Sequence, residues 1–234
     1  MRILAVLLLL AGAGPLSALD KTPLAGGVVR SKEWKVRRGA DKEEEFSGDV
    51  SYRGEGAAVR ADWALYRHAS ETWRARGGVR VERTLASGET VEAAGDEALY
   101  DQKSQKGSLW AARRVTFRRA PAEGPPDEGE AGRVEWTGRD RVLLKGGVHV
   151  WGPRLEAWAD EAEYERGAAA RLALSGGRPV LRKLGGWGPA ADDWTGAVKA
   201  DAITARESPR GISADGKAAG WIVFPKSRAA GRAR

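Results

Sequence analysis

Alternating apolar and polar positions recur along most of the chain, and they are organised around one repeated motif. It appears as Ala61-Asp62-Trp63-Ala64-Leu65-Tyr66, Gly95-Asp96-Glu97-Ala98-Leu99-Tyr100 and Ala159-Asp160-Glu161-Ala162-Glu163-Tyr164, with a weaker copy, Ala200-Asp201-Ala202-Ile203-Thr204-Ala205. Three of the four tyrosines occupy the same slot of this motif. The aspartates are 34, 64 and 41 residues apart, so the middle interval holds two periods, with a degenerate copy expected around Val134 to Thr137. Self-similarity at this period signals stacked supersecondary units.

On either side of the aspartate the apolar residues alternate with period two, as in a half-buried strand. Across it they step by three, as from Ala61 to Ala64 and from Ala159 to Ala162. The inward face therefore changes parity there, which a β-bulge or sharp corner at Ala-Asp would produce. Polar turns such as Asp101 to Gly107 follow the tyrosine, after which alternation resumes at Trp73 and Ala75, Leu109 and Ala111, and Leu172 and Leu174. Further strands are expected at Val79 and Val81 and at Val115 and Phe117. The pairs Gly77-Gly78, Gly146-Gly147 and Gly176-Gly177 stand before strand starts, where glycine tolerates a bend or a positive φ. No segment carries a sustained helical period, so the pattern predicts an all-β fold of bent antiparallel strand pairs.

Boundaries follow from composition. Residues 1–18 combine Arg2, an apolar run from Ile3 to Ala13 and small residues before a cleavage position after Ala18, the layout of a secretory signal peptide. The run is shorter than the ~20 residues of a membrane-spanning helix; retention of the leader as an anchor is the alternative. Residues 19–45 are expected to form an N-terminal segment and first strand, and 46–225 the β domain. Residues 119–133, rich in Pro, Gly and acid, are expected as a surface loop insertion, and 226–234 as a basic disordered tail.

Chemistry is narrowed by what is scarce. The 234 residues include no cysteine and two histidines, so disulfides, thiolate metal sites and cysteine nucleophiles are excluded. No hydrolase, zincin or phosphate-loop motif is present, and the repeated Asp62, Asp96 and Asp160 suit a scaffold corner better than a catalytic pair. The sequence predicts a non-enzyme with neither cofactor nor metal. Lys and Arg total 39 against 32 Asp and Glu, and removing Arg2 with the leader leaves a net +6. Arginines cluster at Arg53, Arg60, Arg74, Arg76, Arg80 and Arg83, and again at Arg113, Arg114, Arg118 and Arg119, where they could grip phosphate or simply form a solvated sheet face. The ten tryptophans suit either edge packing or contact with lipid and sugar. Export and the lack of a recognised motif argue against nucleic acid as a partner.

Gly48-Asp49-Val50-Ser51-Tyr52, Gly78-Val79-Arg80-Val81 and Gly147-Val148-His149-Val150, in order with the Asp62, Asp96 and Asp160 motifs, resemble the OstA-like family of lipopolysaccharide-transport proteins over roughly residues 46–224. That family includes LptA, LptC and the N-terminal domain of LptD. The resemblance implies a twisted, V-shaped β-jelly roll (a β-taco) whose apolar groove holds the acyl chains of lipid A in the periplasm. It also implies edge-strand joints to LptC-like and LptD-like jelly-roll domains, or end-to-end joints between copies of the chain. The groove is expected to be lined by Val59, Ala64, Tyr66, Val79, Val81, Ala98, Tyr100, Leu109, Val115, Phe117, Leu155, Tyr164, Leu172 and Leu174. These positions would equally serve as a sandwich core. Edge assembly is expected at Val50 and Tyr52 on one side and at Trp221, Ile222, Val223 and Phe224, ahead of Pro225, on the other. Three functions fit: a soluble lipopolysaccharide carrier of the LptA type, an inner-membrane-anchored LptC-like component, or an exported carbohydrate-binding or envelope-scaffold β-protein.

Overall fold

Strands of 11 to 15 residues would be long for a flat sheet, and here each one bends at a fixed point. In a computed structural model, residues 27–39, 41–54, 56–84, 88–138, 141–153, 155–165, 170–184, 195–207 and 210–223 are described. They form sixteen strands: β1 (Val28–Arg30), β2 (Glu33–Arg37), β3 (Glu43–Gly54), β4 (Ala57–Arg67), β5 (Thr72–Thr84), β6 (Thr90–Asp101), β7 (Lys106–Ala120), β8 (Asp127–Thr137), β9 (Arg141–Trp151), β10 (Leu155–Glu165), β11 (Arg171–Ser175), β12 (Val180–Lys183), β13 (Thr195–Lys199), β14 (Ala202–Glu207), β15 (Arg210–Asp215) and β16 (Ala219–Val223). All belong to one open antiparallel sheet, with β3 to β10 running as a meander. This is the all-β class of bent strand pairs that the alternation predicts. The expected leader and basic tail, with Phe224, lie outside the described residues.

The bends come in two alternating forms. On β4, β6, β8 and β10 the inward parity slips by one, between Ala61 and Ala64, Ala93 and Ala98, Ala131 and Val134, and Ala159 and Ala162. On β5 and β9 the parity is kept, but two left-handed glycines are inserted: Gly77-Gly78 (φ 79° and 52°) and Gly146-Gly147 (φ 81° and 73°). These glycines sit mid-strand, so Trp73 and Val81 belong to one continuous strand and not to two short ones. The register shifts on β4/β5, β5/β6, β8/β9 and β9/β10 all fall at these positions.

The motif aspartates explain the pairing of the two bend types. A side chain on Gly77 would stand 2.7 Å from Asp62 Cβ, one on Gly176 would stand 2.7 Å from Asp160 Cβ, and one on Gly216 would stand 2.9 Å from Asp201 Cβ. The Asp96 carboxylate accepts the Ala112 backbone N–H at 2.6 Å. Asp62 and Asp96 thus fill the kinks of β5 and β7, and Asp160 and Asp201 fill the turns that end β11 and β15, as the local hydrogen-bonding habit of Asp favours. The degenerate copy is Ala131-Gly132, with Trp136 in the tyrosine slot. Having no aspartate there, the chain instead sends Arg114 from β7, whose guanidinium donates to Gly146 O at 2.6 Å and to Gly147 O.

Residues 119–133 are therefore not a loop. β7 continues to Ala120 and β8 starts at Asp127, so only 121–126 form the connection. Prolines 121, 125 and 126 all fall within that turn. Ala131 is fully buried, and Gly129 leaves room for the Phe117 ring.

The sheet forks at both ends. β10 bonds β11 along Glu161–Glu165 but β12 along Leu155–Trp158. β3 bonds β2 along Glu43–Ser47 but β1 along Ser51–Arg53. One leaf, here the front leaf, carries β2, the Tyr-slot halves of the long strands, β11, β14 and β15. The back leaf carries β1, the opposite halves, β12, β13 and β16. Inward residues of both leaves, from Ala61 and Val79 through Phe117, Val134 and Tyr164 to Ile203, join one buried cluster. The sheet is accordingly folded along its line of bends with the apolar face enclosed.

Candidate functional site

The inward face of the front leaf is built from two cross-strand rows. Phe46, Ala64, Ala75, Ala98, Leu109, Val134, Leu144, Ala162, Leu174 and Ile203 follow one another across the strands next to the bend. Nearer the mouth the second row reads Tyr66, Trp73, Tyr100, Gly107, Trp136, Val142, Tyr164 and Leu172. This row is an aromatic rail. Tyr66 and Trp73 stack at 4.6 Å, Phe46 and Trp73 at 6.1 Å, and Tyr100 and Trp136 at 6.4 Å between centroids. Gly107 permits it, since a side chain there would overlap the Trp136 ring. Burial raises the Tyr66 phenol above its ordinary value, helped by the Glu71 and Glu44 charges, so it stays neutral.

The back leaf faces it with Val59, Val81, Ala93, Phe117, Gly129, Val150, Ala157 and Leu181. At its mouth the row turns charged: Arg119, Asp127 and Lys183 are 4%, 8% and 3% exposed. The Arg119 guanidinium bonds Glu89 at 2.5 Å and lies 3.7 Å from Asp127. The interior therefore has an aromatic rim on one leaf and a buried ionic rim on the other.

The expected groove residues divide by burial. Val79, Leu109, Val115, Phe117, Leu155, Tyr164, Leu172 and Leu174 belong to the main buried cluster, with Val81 and Ala98 packed against it. Val79, Leu109 and Val115 have no exposed surface, and over β7 to β11 the interior is filled by the chain's own side chains. Ala64 belongs to a second, smaller cluster with Phe46 and Val50. Val59, Tyr66, Val81, Ala98 and Tyr100 are only half-buried, and all lie on β4, β5 and β6. Toward that end Trp34 is 62% exposed and stacks on Phe46. The sequence reading missed Trp73 and Trp136 as rail members, although Trp136 follows Gly132 at the spacing by which each tyrosine follows its aspartate. Arg119, expected as a phosphate-gripping or solvated arginine, is instead buried, and Asp127 and Lys183 were missed, although their alternation with apolar inward positions was the available signal.

The expected edges differ from one another. Val50 and Tyr52 are not at an edge, because β3 is bonded by β4 on one side and by β1 and β2 on the other; both residues are buried. The reason is that 28–37 supplies two further strands. At the other end Trp221, Ile222 and Val223 lie on β16, which among the described strands bonds only β13 and is exposed throughout. Among the described residues no cluster of three or more His, Asp or Glu could hold a metal ion, and no helix is long and apolar enough to cross a membrane.

Outside the interior, carboxylates and cations interleave. Glu44 is drawn in by burial, which opposes its charge, but hydrogen bonds from His68 and Lys42 outweigh that and leave its pKa lowered. Glu97 is lowered chiefly by the Arg74 hydrogen bond, with Arg76 adding to it.

No protein-family model matches the chain, and no curated protein does. Among solved structures it is similar to LptH of Pseudomonas aeruginosa, described as the LptA-homologous periplasmic component of the lipopolysaccharide transport device. The likeness has a TM-score of 0.39 at 17% identity and covers 47% of this chain and 75% of that one.

Proposed function

We propose that this chain is an exported, non-enzymatic lipid carrier that shelters the acyl chains of lipopolysaccharide between its two leaves and joins partner jelly-roll domains, or further copies of itself, through the strand edges at its forked ends. The observation that supports this most directly is the row of apolar inward residues that pairs strand to strand from Phe46 to Ile203 in a sheet that does not close. A folded sheet whose end strands, among the described residues, are bonded on one side only can be extended by another chain in a way that a closed barrel cannot. The ordered motif series resembling OstA-like proteins supports the same reading, as does the signal-peptide-like layout of residues 1–18.

Acyl chains would enter at the β4–β6 end, where Val59, Tyr66, Val81, Ala98 and Tyr100 retain exposed surface. Beyond it, progress requires the leaves to part. Apolar burial yields roughly 25 cal/mol per Å² of area removed from water whichever partner supplies the cover, so side chains and acyl chains can exchange with little net cost. Photo-crosslinking tests the proposal. A benzophenone amino acid at Tyr66 or Val81 is expected to yield lipopolysaccharide adducts, whereas one at Leu99, exposed on the outward side of the same sheet, is not. Absence of adducts at both inward positions, or equal labelling at Leu99, would overturn it.

A further inference from the structure

A second concavity lies on the opposite side of the back leaf. It has a volume of about 520 Å³ and is bordered by Arg60, Arg80, Glu82, Glu92, Arg118 and Trp151, with Ala58, Ala94, Thr116 and Glu128 between them. Cross-strand pairing puts all of these on outward rows, on either side of the inward row Val81, Ala93, Phe117 and Gly129. That inward row, Val81, Ala93, Phe117 and Gly129, also contributes to its lining, whereas Val79, Val91 and Arg119 do not border it. The depression spans six strands, β4 to β9, which at the usual spacing makes it ~24 Å long. It is thus an elongated trough along the back leaf, with its charged walls on the outward rows.

Its chemistry is mixed and partly uncommitted. At one end Arg60 and Arg80 stand directly opposite each other, and so do Glu82 and Glu92. Like charges placed so are mutually unfavourable, and none of the four makes an ion pair with another described residue. At the other end the Trp151 indole is held in place. Its Nε1–H donates to Glu128 at 3.1 Å, and the His149 ring lies 4.6 Å away, itself stacked on Trp158 at 5.0 Å. His149 is in turn bonded to Glu156 at 3.1 Å.

We infer that this trough is a binding site for an extended, uncharged glycan chain. Sugar rings present an apolar C–H face, which suits a fixed indole, and a fringe of hydroxyls that both donate and accept. Uncommitted carboxylates and guanidiniums side by side answer both roles. A polyanion would meet Glu82, Glu92 and Glu128, and a wholly apolar segment would cover as much polar as apolar lining. The small floor residues Ala58, Ala94 and Gly129 let a chain of rings lie close to the backbone.

The test is calorimetric titration of the full chain with cellotetraose, chitotetraose and maltotetraose, and with heparin as a polyanion. At least one tetrasaccharide is expected to bind, and Trp151→Ala and Arg80→Ala are each expected to weaken it at least about tenfold, near 1.4 kcal/mol. Leu99→Ala, on the other leaf, should leave it unchanged. Arg80 is exposed, so its variant keeps the test informative should Trp151→Ala unfold. Binding by none of the three, binding indifferent to both variants, or binding by heparin alone would each overturn the assignment. Crosslinking at Tyr66 is expected to survive Trp151→Ala, so failure here is distinguishable from failure of the lipid proposal.

Discussion

Replacing Gly77 by alanine probes the bend that every long strand shares. Gly77 has φ 79°, and its added Cβ would stand 2.7 Å from Asp62 Cβ and closer still to the carboxylate. Two separable costs follow. The left-handed backbone costs roughly 1–2 kcal/mol for a residue bearing a Cβ, and overpacking against Asp62 adds about 1–3 kcal/mol. Gly77→Ala is thus expected to destabilise by about 2–5 kcal/mol. In an Asp62→Gly background the steric part disappears while the backbone part stays, so the same change should cost only about 1–2 kcal/mol. Urea unfolding followed by tryptophan fluorescence measures all four corners of this cycle. A coupling of at least about 1 kcal/mol is expected. Strictly additive costs would refute the idea that aspartate and glycine form one joint.

Further outcomes follow from other sites. Leu109, fully buried on β7, should lose about 3–5 kcal/mol of unfolding free energy on Leu109→Ala. Arg119→Ala, which removes the buried cation beside Glu89 and Asp127, should cost about 3–5 kcal/mol, whereas Arg118→Ala, half-exposed beside Glu128, should change stability by under about 0.5 kcal/mol. Glu97 has a folded-state pKa below its ordinary 4.5 because of Arg74 and Arg76. Its stabilisation is therefore complete above about pH 4.5 and is lost as pH falls through the lowered folded value. Glu97→Gln should accordingly be less stable than the parent near neutrality and converge with it in acid, as followed by thermal melts across pH. Paired Trp221→Lys and Val223→Lys changes on β16 should abolish any concentration-dependent self-association seen by sedimentation, leaving the monomer folded.

The recurring Ala-Asp motif was readable because a bend that slips parity leaves a three-residue step in an otherwise two-residue rhythm. The β8 segment was not, for a specific reason. Its inward slots hold Gly129, Ala131 and Asp127, and the facing bulk comes from the Phe117 ring and from Arg119, its neighbours on β7. Hydropathy alternation vanishes where one strand supplies the volume for two. Likewise the groove residues were identified as inward, but which of them keep exposed surface depends on how closely the leaves meet, and that is a property of the assembled sheet. The edge assignment to Val50 and Tyr52 failed because β1 and β2 are short and carry no copy of the motif.

The creases are fastened by side chains fitted to the backbone beside them: an aspartate at Asp62, Asp96, Asp160 and Asp201, and the Arg114 guanidinium where the aspartate is missing. Length is thereby left open as a variable. Units could be added or removed, and turns lengthened, without altering the cross-section of the fold, so chains of quite different length could keep the same profile.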